Sequence, residues 1–527
     1  MAISLIHHFL EYSALRYPDK VALIHDEARH TYAEINDQAN RMANCLINTG
    51  IVVGDRIVIL FENCMEYVVS YYAVLKAGAV AVPLNSDIKP EGLKAIAMEL
   101  EPKAIISSSR FERVLGSSNL HGCHIQSLIL KAPISAWSNT TFEIEELSGI
   151  LRSGPTTNPN INIRGTDFAS IIYTSGSTGH PKGVLLSHSN IVANTLSICR
   201  YLYLTSNDIQ MVVLPFFYVF GKSLLNTHFA VGGTIVINNK FAFPVTVLKE
   251  MVAENVTGFS GVPSTYAYLL HRSPLADYRD KLTALRYCSQ AGGHMPRSIK
   301  EDLRRVLPAH TEIYVMYGAT EASGRLAYLE PALYSQKMDS IGRAIPGVTL
   351  RILNPEGIEA KPGETGELMA TGANIMQGYW NDPEPTQKIL SNGWYHTGDL
   401  AYRDAEGYLY VIGRKDDQFK AGGHRINPVE IEDTLMESGM LVEAVVLGVG
   451  DDLNGHKLVC CCVAKSNGIS KNTILSFCAE RLPKFKIPKS LLFAYSLPKN
   501  MSGKIDRKKC LELFNGGSAS LPTIVKV

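Results

Sequence analysis

Residues 169–183 read Ala169-Ser-Ile-Ile-Tyr-Thr-Ser-Gly-Ser-Thr-Gly-His-Pro-Lys-Gly183. An apolar run leads into Thr174, Ser175, Ser177 and Thr178, the glycines Gly176, Gly179 and Gly183, and Lys182. Glycine lets backbone N–H groups converge on an anion, because no Cβ blocks the approach or the positive φ it needs. Hydroxyls add donors, and lysine adds positive charge. Such a loop suits polyphosphate. It is not a P-loop of the G-x-x-x-x-G-K-[ST] type. Counting from Gly176, Pro181 stands at the second glycine position, and Gly183 stands where a Ser or Thr should follow Lys182. The metal-binding hydroxyl of that motif is therefore missing.

Outward from this segment, short β-rich runs at residues 56–61, 79–83, 103–107, 209–214, 234–237 and 285–289 are spaced by helical stretches such as 66–76, 244–254 and 297–306. The alternation predicts α/β layers with largely parallel sheets. After about Thr349 the texture changes. Runs at 350–353, 366–370, 394–399 and 408–412 are separated by turns such as Asn354-Pro-Glu-Gly357, which predicts antiparallel hairpins. Asn427-Pro428 then starts a helix, with Asn as cap and Pro at the first helical position. Strands near 444–447 and 457–464 and a helix at 471–481 complete a small α+β domain, joined by a hinge near Asp416.

Lys plus Arg number 51 against 50 Asp plus Glu, a net charge of +1, which argues against a generally basic nucleic-acid or membrane binder. Hydrophobic residues make up 46% of the 527, enough for a large core. Ten cysteines are too dilute for a disulfide scaffold. Cys460-Cys461-Cys462 falls within a predicted strand, where neighbouring side chains face opposite ways, so they read as small apolar fillers in a reducing compartment. With no signal-peptide pattern and no long uncharged apolar stretch, the expectation is a soluble cytoplasmic protein without an integral membrane segment.

Further motifs follow in order: Tyr317-Gly-Ala-Thr-Glu321, Tyr395-His-Thr-Gly-Asp399, Gly413-Arg-Lys-Asp416 and Asn500-Met-Ser-Gly-Lys504. Together with residues 174–183 they resemble the AMP-forming adenylating enzymes, that is, acyl- and aryl-CoA synthetases, peptide-synthetase adenylation domains and firefly luciferase. The resemblance spans about residues 8–512. It implies a large N-terminal domain (1–415) of layered α/β sheets with a small β-barrel at about 349–413, and a smaller mobile α+β C-terminal domain (416–527).

It also implies roles. A carboxylic acid attacks the α-phosphate of ATP, giving acyl-adenylate and pyrophosphate; a thiol then takes the acyl group and AMP leaves. The acid is already ionised at neutral pH, so the work is positioning and charge neutralisation. Thr174, Ser175, Gly176, Ser177, Thr178, Gly179 and Lys182 would hold the β- and γ-phosphates, Thr320 the α-phosphate and Glu321 the Mg²⁺. Tyr317 and Gly318 would flank adenine, Gly292 and Gly293 would border nucleotide and acyl group, and Asp399 and Arg414 would take the ribose. Lys504 would join acid carboxylate and α-phosphate. Rotation at Asp416 would replace it with residues 420–426, where Gly422 and Gly423 admit the pantetheine of coenzyme A or of a carrier protein.

The segment Leu214-Pro-Phe-Phe-Tyr-Val-Phe-Gly221 resembles the family's acid-proximal stretch. Amino-acid-activating relatives usually place an aspartate near here, and none stands between Met211 and Gly221, which disfavours amino acids. Phe216, Phe217, Tyr218 and Gly261-Val-Pro-Ser-Thr-Tyr266 suggest an apolar pocket for a fatty or aryl acid. Tyr218 stands where many acyl- and aryl-CoA synthetases have a gating histidine. The expected enzyme is an acid–CoA ligase acting on a small-molecule carboxylic acid. The alternatives are a ligase loading a free acyl carrier protein in secondary metabolism, and a non-catalytic nucleotide-binding relative. The joint presence of Lys182, Glu321, Asp399, Arg414 and Lys504 weighs against the last.

Overall fold

A computed structural model describes residues 3–134, 142–175, 181–421, 423–451, 455–466, 468–500 and 503–515. Among these residues two large sheets dominate. One has eight strands in the order Gly378–Tyr379, Pro181–Ser187, Phe168–Ser175, Val80–Pro83, Arg56–Leu60, Ala104–Ser108, Ser127–Lys131 and Glu143–Glu146. Its pairings are parallel except where Pro181–Ser187 meets its two neighbours. The other has nine strands, with a parallel centre that includes Ile209–Val212, Gly258–Gly261, Tyr287–Gln290 and Glu312–Tyr317.

Helices Met65–Lys76 and Val219–Val231 are almost wholly buried, polar residues such as Lys222, Asn226 and His228 included. That is the pattern of a helix enclosed on every side. Their side chains share one core with Ile57, Ile59 and Ile172 of the first sheet and Ile235 and Tyr287 of the second, so the helices are packed between sheets.

The region after Thr349 is antiparallel as the turns predict. Val348–Leu353, Gly366–Gly372, Trp394–Arg403, Leu390–Ser391 and Leu409–Arg414 form a five-stranded sheet among the described residues. Trp394–Arg403 runs four residues past the predicted end. It is held by Gly366–Gly372 on one side and Leu409–Arg414 on the other, so its polar second half still has partners. The strand predicted at 285–289 instead spans Tyr287–Gln290, because the amides of Arg286 and Tyr287 both bond back to Thr257 O.

Beyond it lie the two-stranded ribbon Phe419–Ala421 with His424–Ile426 and the sheet of Leu441–Asp451, Gly455–Ala464 and Ser490–Phe493. Asn427 caps the helix Pro428–Glu437, accepting from Val429 N at 3.2 Å. The adjacent cysteines do face opposite ways. Cys460 and Cys462 join one buried cluster and Cys461 another, with Cys510 and Leu497.

The segment quoted at the outset is a hairpin. Phe168–Ser175 and Pro181–Ser187 pair antiparallel, with Thr174 opposite Lys182. Ser187 then caps the helix His188–Tyr201 through a reciprocal pair with Asn190, at 3.2 and 2.9 Å. His188 is buried, and its Nδ1 accepts from Ile6 N at 3.2 Å, tying the chain's start to the base of the hairpin. Burial pushes this imidazole from 6.5 down to about 4.

Between those two values the unfolded chain binds more protons than the folded one, so stability rises with pH across the window. His188 therefore costs nothing above pH 6.5 and destabilises progressively as pH falls toward 4, by on the order of 3 kcal/mol at the acid end. Asparagine can reproduce the Nδ1 acceptor without titrating. His188→Asn should flatten the drop in thermal midpoint between pH 6.5 and 4 relative to the parent, as measured by calorimetry; an unchanged slope would contradict the assignment.

Candidate active site

The strand Glu312–Tyr317 ends in a tight turn that carries Gly318, Thr320 and Glu321. The turn is heavily anchored. Asn194 Nδ2 and Asn374 Nδ2 each donate to Arg325 O at 2.9 Å, and Ser323 Oγ donates to Asn374 O at 2.8 Å. Gly318 is demanded by this turn itself: a Cβ there would lie 2.2 Å from Gly324 O and 2.7 Å from Arg325 Cα. The expected reason was space for a nucleotide base, and the chain's own backbone already requires the glycine.

Tyr317 donates its hydroxyl to Asp399 Oδ2 at 2.5 Å, linking the nine-stranded sheet to the antiparallel one. Across the strand pair, Arg414 lies opposite Asp399, with Nη1 3.5 Å from Oδ1. Burial pushes the Asp399 carboxyl above its usual range, against the pull of Arg414, the Tyr317 hydroxyl and Lys504. A buried carboxylate flanked by a guanidinium, a phenol and an ammonium is well set to accept hydroxyl donors.

Lys504 reaches this place from the far end of the chain. Its turn is closed by Asn500 N donating to Lys504 O at 2.7 Å and held down by Ser264 Oγ donating to Gly503 O at 2.7 Å. Its Cε would stand 3.8 Å from a Cβ at Gly292, whose φ of +86° favours glycine. Gly261 ends the neighbouring strand, opposite Gln290, and Gly293 lies in the bend that follows Tyr287–Gln290.

On the other side of the turn, Glu321 Oε1 accepts from the Tyr379 hydroxyl at 2.9 Å, and Lys182 Nζ stands 4.9 Å from the Tyr379 ring centroid. Burial and the Glu321 carboxylate push the Tyr379 phenol well up, so it stays a donor. Thr174, Lys182, Thr320, Glu321, Tyr317, Asp399, Arg414 and Lys504 thus border one region. Gly176, Ser177, Thr178, Gly179 and Gly422 lie outside the described residues, and of Ser175 only the backbone is described.

Gly423 and Asp416 occupy exposed turns in the segment after Arg414. In the expected acid segment, Phe217 and Tyr218 are half-buried. Phe216 is fully buried, with its ring 5.4 Å from that of Tyr67, so it is core. The sequence reading missed Tyr379. It reaches the site because Gly378–Tyr379 pairs with Val184 and Leu185, about 190 residues earlier, and a two-residue strand carries no periodic signal.

Glu321 presents a carboxylate oriented through one oxygen by Tyr379, a donor set that fits a hard cation such as Mg²⁺. No helix among the described residues is long and apolar enough to cross a membrane.

Comparison with known proteins adds the following. Residues 10–380 match the model of the AMP-binding enzyme family, and residues 430–504 match the AMP-binding enzyme C-terminal domain. A long-chain-fatty-acid–CoA ligase of Bacillus subtilis (strain 168) is 31% identical over 531 residues, covering 95% of this chain and 93% of its own. A 2-succinylbenzoate–CoA ligase of Bacillus mycoides is 30% identical over 507 residues, covering 96% and 98%. The solved o-succinylbenzoate CoA synthetase of Bacillus subtilis with its acyl-adenylate superposes with a TM-score of 0.80 at 27% identity, covering 95% and 97%. An anthranilate CoA ligase bound to anthranoyl-AMP shares the fold, with a TM-score of 0.87 at 24% identity and 97% coverage of both chains.

Tyr317→Phe removes a donor that lowers the Asp399 pKa, so the carboxylate should protonate at higher pH than in the parent. Because the ionised form is the one lost as pH falls, the acid edge of AMP binding should move upward, with affinity at neutral pH down about tenfold. Calorimetric titrations from pH 5 to 8 would show this; superimposable pH profiles would exclude it.

Proposed function

The chain belongs to the AMP-binding enzyme family, and on that premise we propose that it is an AMP-forming acid–thiol ligase that joins a carboxylic acid to AMP at the expense of ATP and passes the acyl group to coenzyme A. The observation that carries this reading is the approach of Lys504 to Gly292, where its charge is felt by Asp399. An ammonium from residue 504 that acts on the Asp399 carboxylate adds positive charge where an anionic ligand would lie. Relatives named as fatty-acid and 2-succinylbenzoate CoA ligases support coenzyme A as the acceptor.

In this reading Asp399 accepts both ribose hydroxyls, with Arg414 donating from the other side and the Tyr317 ring against adenine. Thr320 donates to the α-phosphate. Thr174, Lys182 and the glycine-rich tip between them take the β- and γ-phosphates. Glu321, oriented by Tyr379, would hold Mg²⁺, which when bound supplies positive charge to the phosphate oxygens. Lys504 bridges the acid carboxylate and the α-phosphate, so nucleophile and electrophile meet without a general base. Phe217, Tyr218 and Gly261 border the acid.

The proposed division is 1–415 and 416–527, with rotation at the exposed turn holding Asp416. Rotation withdraws Lys504 and brings residues 420–426 to the site, where Gly423 leaves room for a pantetheine arm. A cytoplasmic setting accords with ten cysteines that are all in the free form.

Pyrophosphate exchange across a panel of acids, followed by thioester formation with coenzyme A or with a carrier protein, tests the whole reading. Absence of exchange with every acid would end it, and transfer only to carrier protein would change the acceptor. Lys504→Ala should lower adenylation by at least about 100-fold while leaving thiolation of supplied acyl-AMP largely intact; loss of both would remove its assigned role. Asp416→Pro should impair one half-reaction more than the other, and equal loss of the two would contradict the hinge.

A further inference from the structure

Two adjacent histidines open the first helix, and the phosphate and acid machinery uses neither. His7 precedes the helix His8–Arg16, and its side chain makes no capping bond. Helical spacing sets Glu11 one turn on, four residues from His7 and three from His8, so all three side chains can meet on one face. They do: one ring nitrogen from each histidine and a Glu11 carboxylate oxygen lie within 4.8 Å of one another. Among the described residues no other three His, Cys, Asp or Glu groups come together in this way. Neighbours hold both rings. His8 stacks on Tyr12 with centroids 5.0 Å apart, and His7 stands edge-on to His188 at 5.9 Å.

His7 is 7% exposed, and its Nδ1, like that of His8, is buried with no hydrogen-bond partner among the described residues. A buried polar atom left unpaired is unfavourable. Single unpaired ring nitrogens also occur at His228 and His271, where no second and third ligand group stands by, so those read as ordinary core. Here two occur on successive residues beside a carboxylate, and His8 and Glu11 are half-buried, which leaves a way in from solvent. Burial foremost lowers the pKa of both imidazoles, so at neutral pH they are unprotonated, the form that binds metal. The nearby cation is Lys76. Its ammonium donates to Glu11 Oε1 at 2.8 Å, Asn36 Oδ1 at 2.9 Å and Asn158 Oδ1 at 2.8 Å, which uses its three protons and leaves the second Glu11 oxygen and both imidazoles outside its bonds. Asp37 also acts on Lys76, so two acids face one ammonium and the surroundings are net negative before any metal arrives. The positive end of the helix opposes a cation, and Glu11 in its first turn offsets that.

We propose that His7, His8 and Glu11 form a binding site for a divalent transition-metal ion of the Zn²⁺ class, separate from the Mg²⁺ position proposed at Glu321. Two imidazole nitrogens and one carboxylate oxygen suit Zn²⁺ and its neighbours far better than Mg²⁺, which takes oxygen ligands. Three protein ligands leave a fourth position to water. Glu11 and His8, the half-buried members, close on an ion held by the buried His7. The ion bridges the segment ahead of the helix to the helix itself. Ile6 N, one residue earlier, donates to His188 Nδ1 at the base of the phosphate hairpin, so occupancy ties the chain's start more firmly to that base. The site stands whether or not the ligase reading does.

The test uses the full chain, stripped of metal with a chelator. Calorimetric titration with Zn²⁺ should show one saturable equivalent that equal Mg²⁺ does not displace, and the thermal midpoint should rise as Zn²⁺ binds. Co²⁺ in its place should give the absorption spectrum of nitrogen and oxygen ligation, without a thiolate charge-transfer band. His8→Ala should weaken Zn²⁺ binding by at least about tenfold. Glu11→Gln, which keeps an acceptor for Lys76, should do the same and serves if His8→Ala fails to fold. A parent chain that takes up no Zn²⁺ would overturn the site. A thiolate band would overturn it too, by placing the ion on cysteines. Uptake unchanged in both variants would mark an adventitious ion only and end the inference.

Discussion

One carbonyl, Arg325 O, receives amide donors from both Asn194 and Asn374, and the geometry of the site follows from that clamp. The residues between Tyr317 and Arg325 form a turn too tight for regular structure, with Ser323 at φ 56° and Gly324 at φ 120°. Left alone, such a turn would adopt many shapes. Clamped from the helix His188–Tyr201 on one side and from the segment holding Asn374 on the other, it presents Thr320, Glu321 and Arg325 in fixed relation. The helix that supplies Asn194 is the one capped by Ser187 at the end of the hairpin holding Thr174 and Lys182. Hairpin and turn are therefore positioned by the same rigid piece, as the proposed phosphate-handling role requires if charge is to be met without rearrangement.

Much of this was legible from residue types. Alternating strand and helix patterns located strands in the centre of both large sheets where contiguous apolar residues mark them, but did not name Gly258–Gly261, Glu312–Tyr317 or Ser127–Lys131. The cap at Asn427 and the opposed cysteines followed from local rules, since both depend only on neighbours in sequence. The motif residues of the site were named as a set through their resemblance to a family, and of these the structure brings Thr174, Lys182, Tyr317, Thr320, Glu321, Asp399, Arg414 and Lys504 to one region while Asp416 and Gly423 stand on exposed turns.

Two things were not legible, each for a physical reason. Tyr379 acts through a two-residue strand whose partner lies about 190 residues away. Gly318 was expected to serve a ligand, while its Cβ space is filled by Gly324.

Asp399 shows how the two parts of the chain are coupled by charge. Burial raises its pKa, while Arg414, the Tyr317 hydroxyl and Lys504 pull it down. In the proposed rotation Arg414 and Tyr317 would keep their places on the sheets, whereas Lys504 would move with the C-terminal part. When Lys504 is present, the site has the positive charge that a polyphosphate and a carboxylate together require. When it withdraws, the phosphates have already left as pyrophosphate, and a single phosphoryl ester remains to be neutralised. Keeping the lysine would then over-stabilise the adenylate against attack by the thiol. A mobile cation therefore matches a reaction whose charge falls midway, and a fixed one would favour the first half-reaction at the expense of the second.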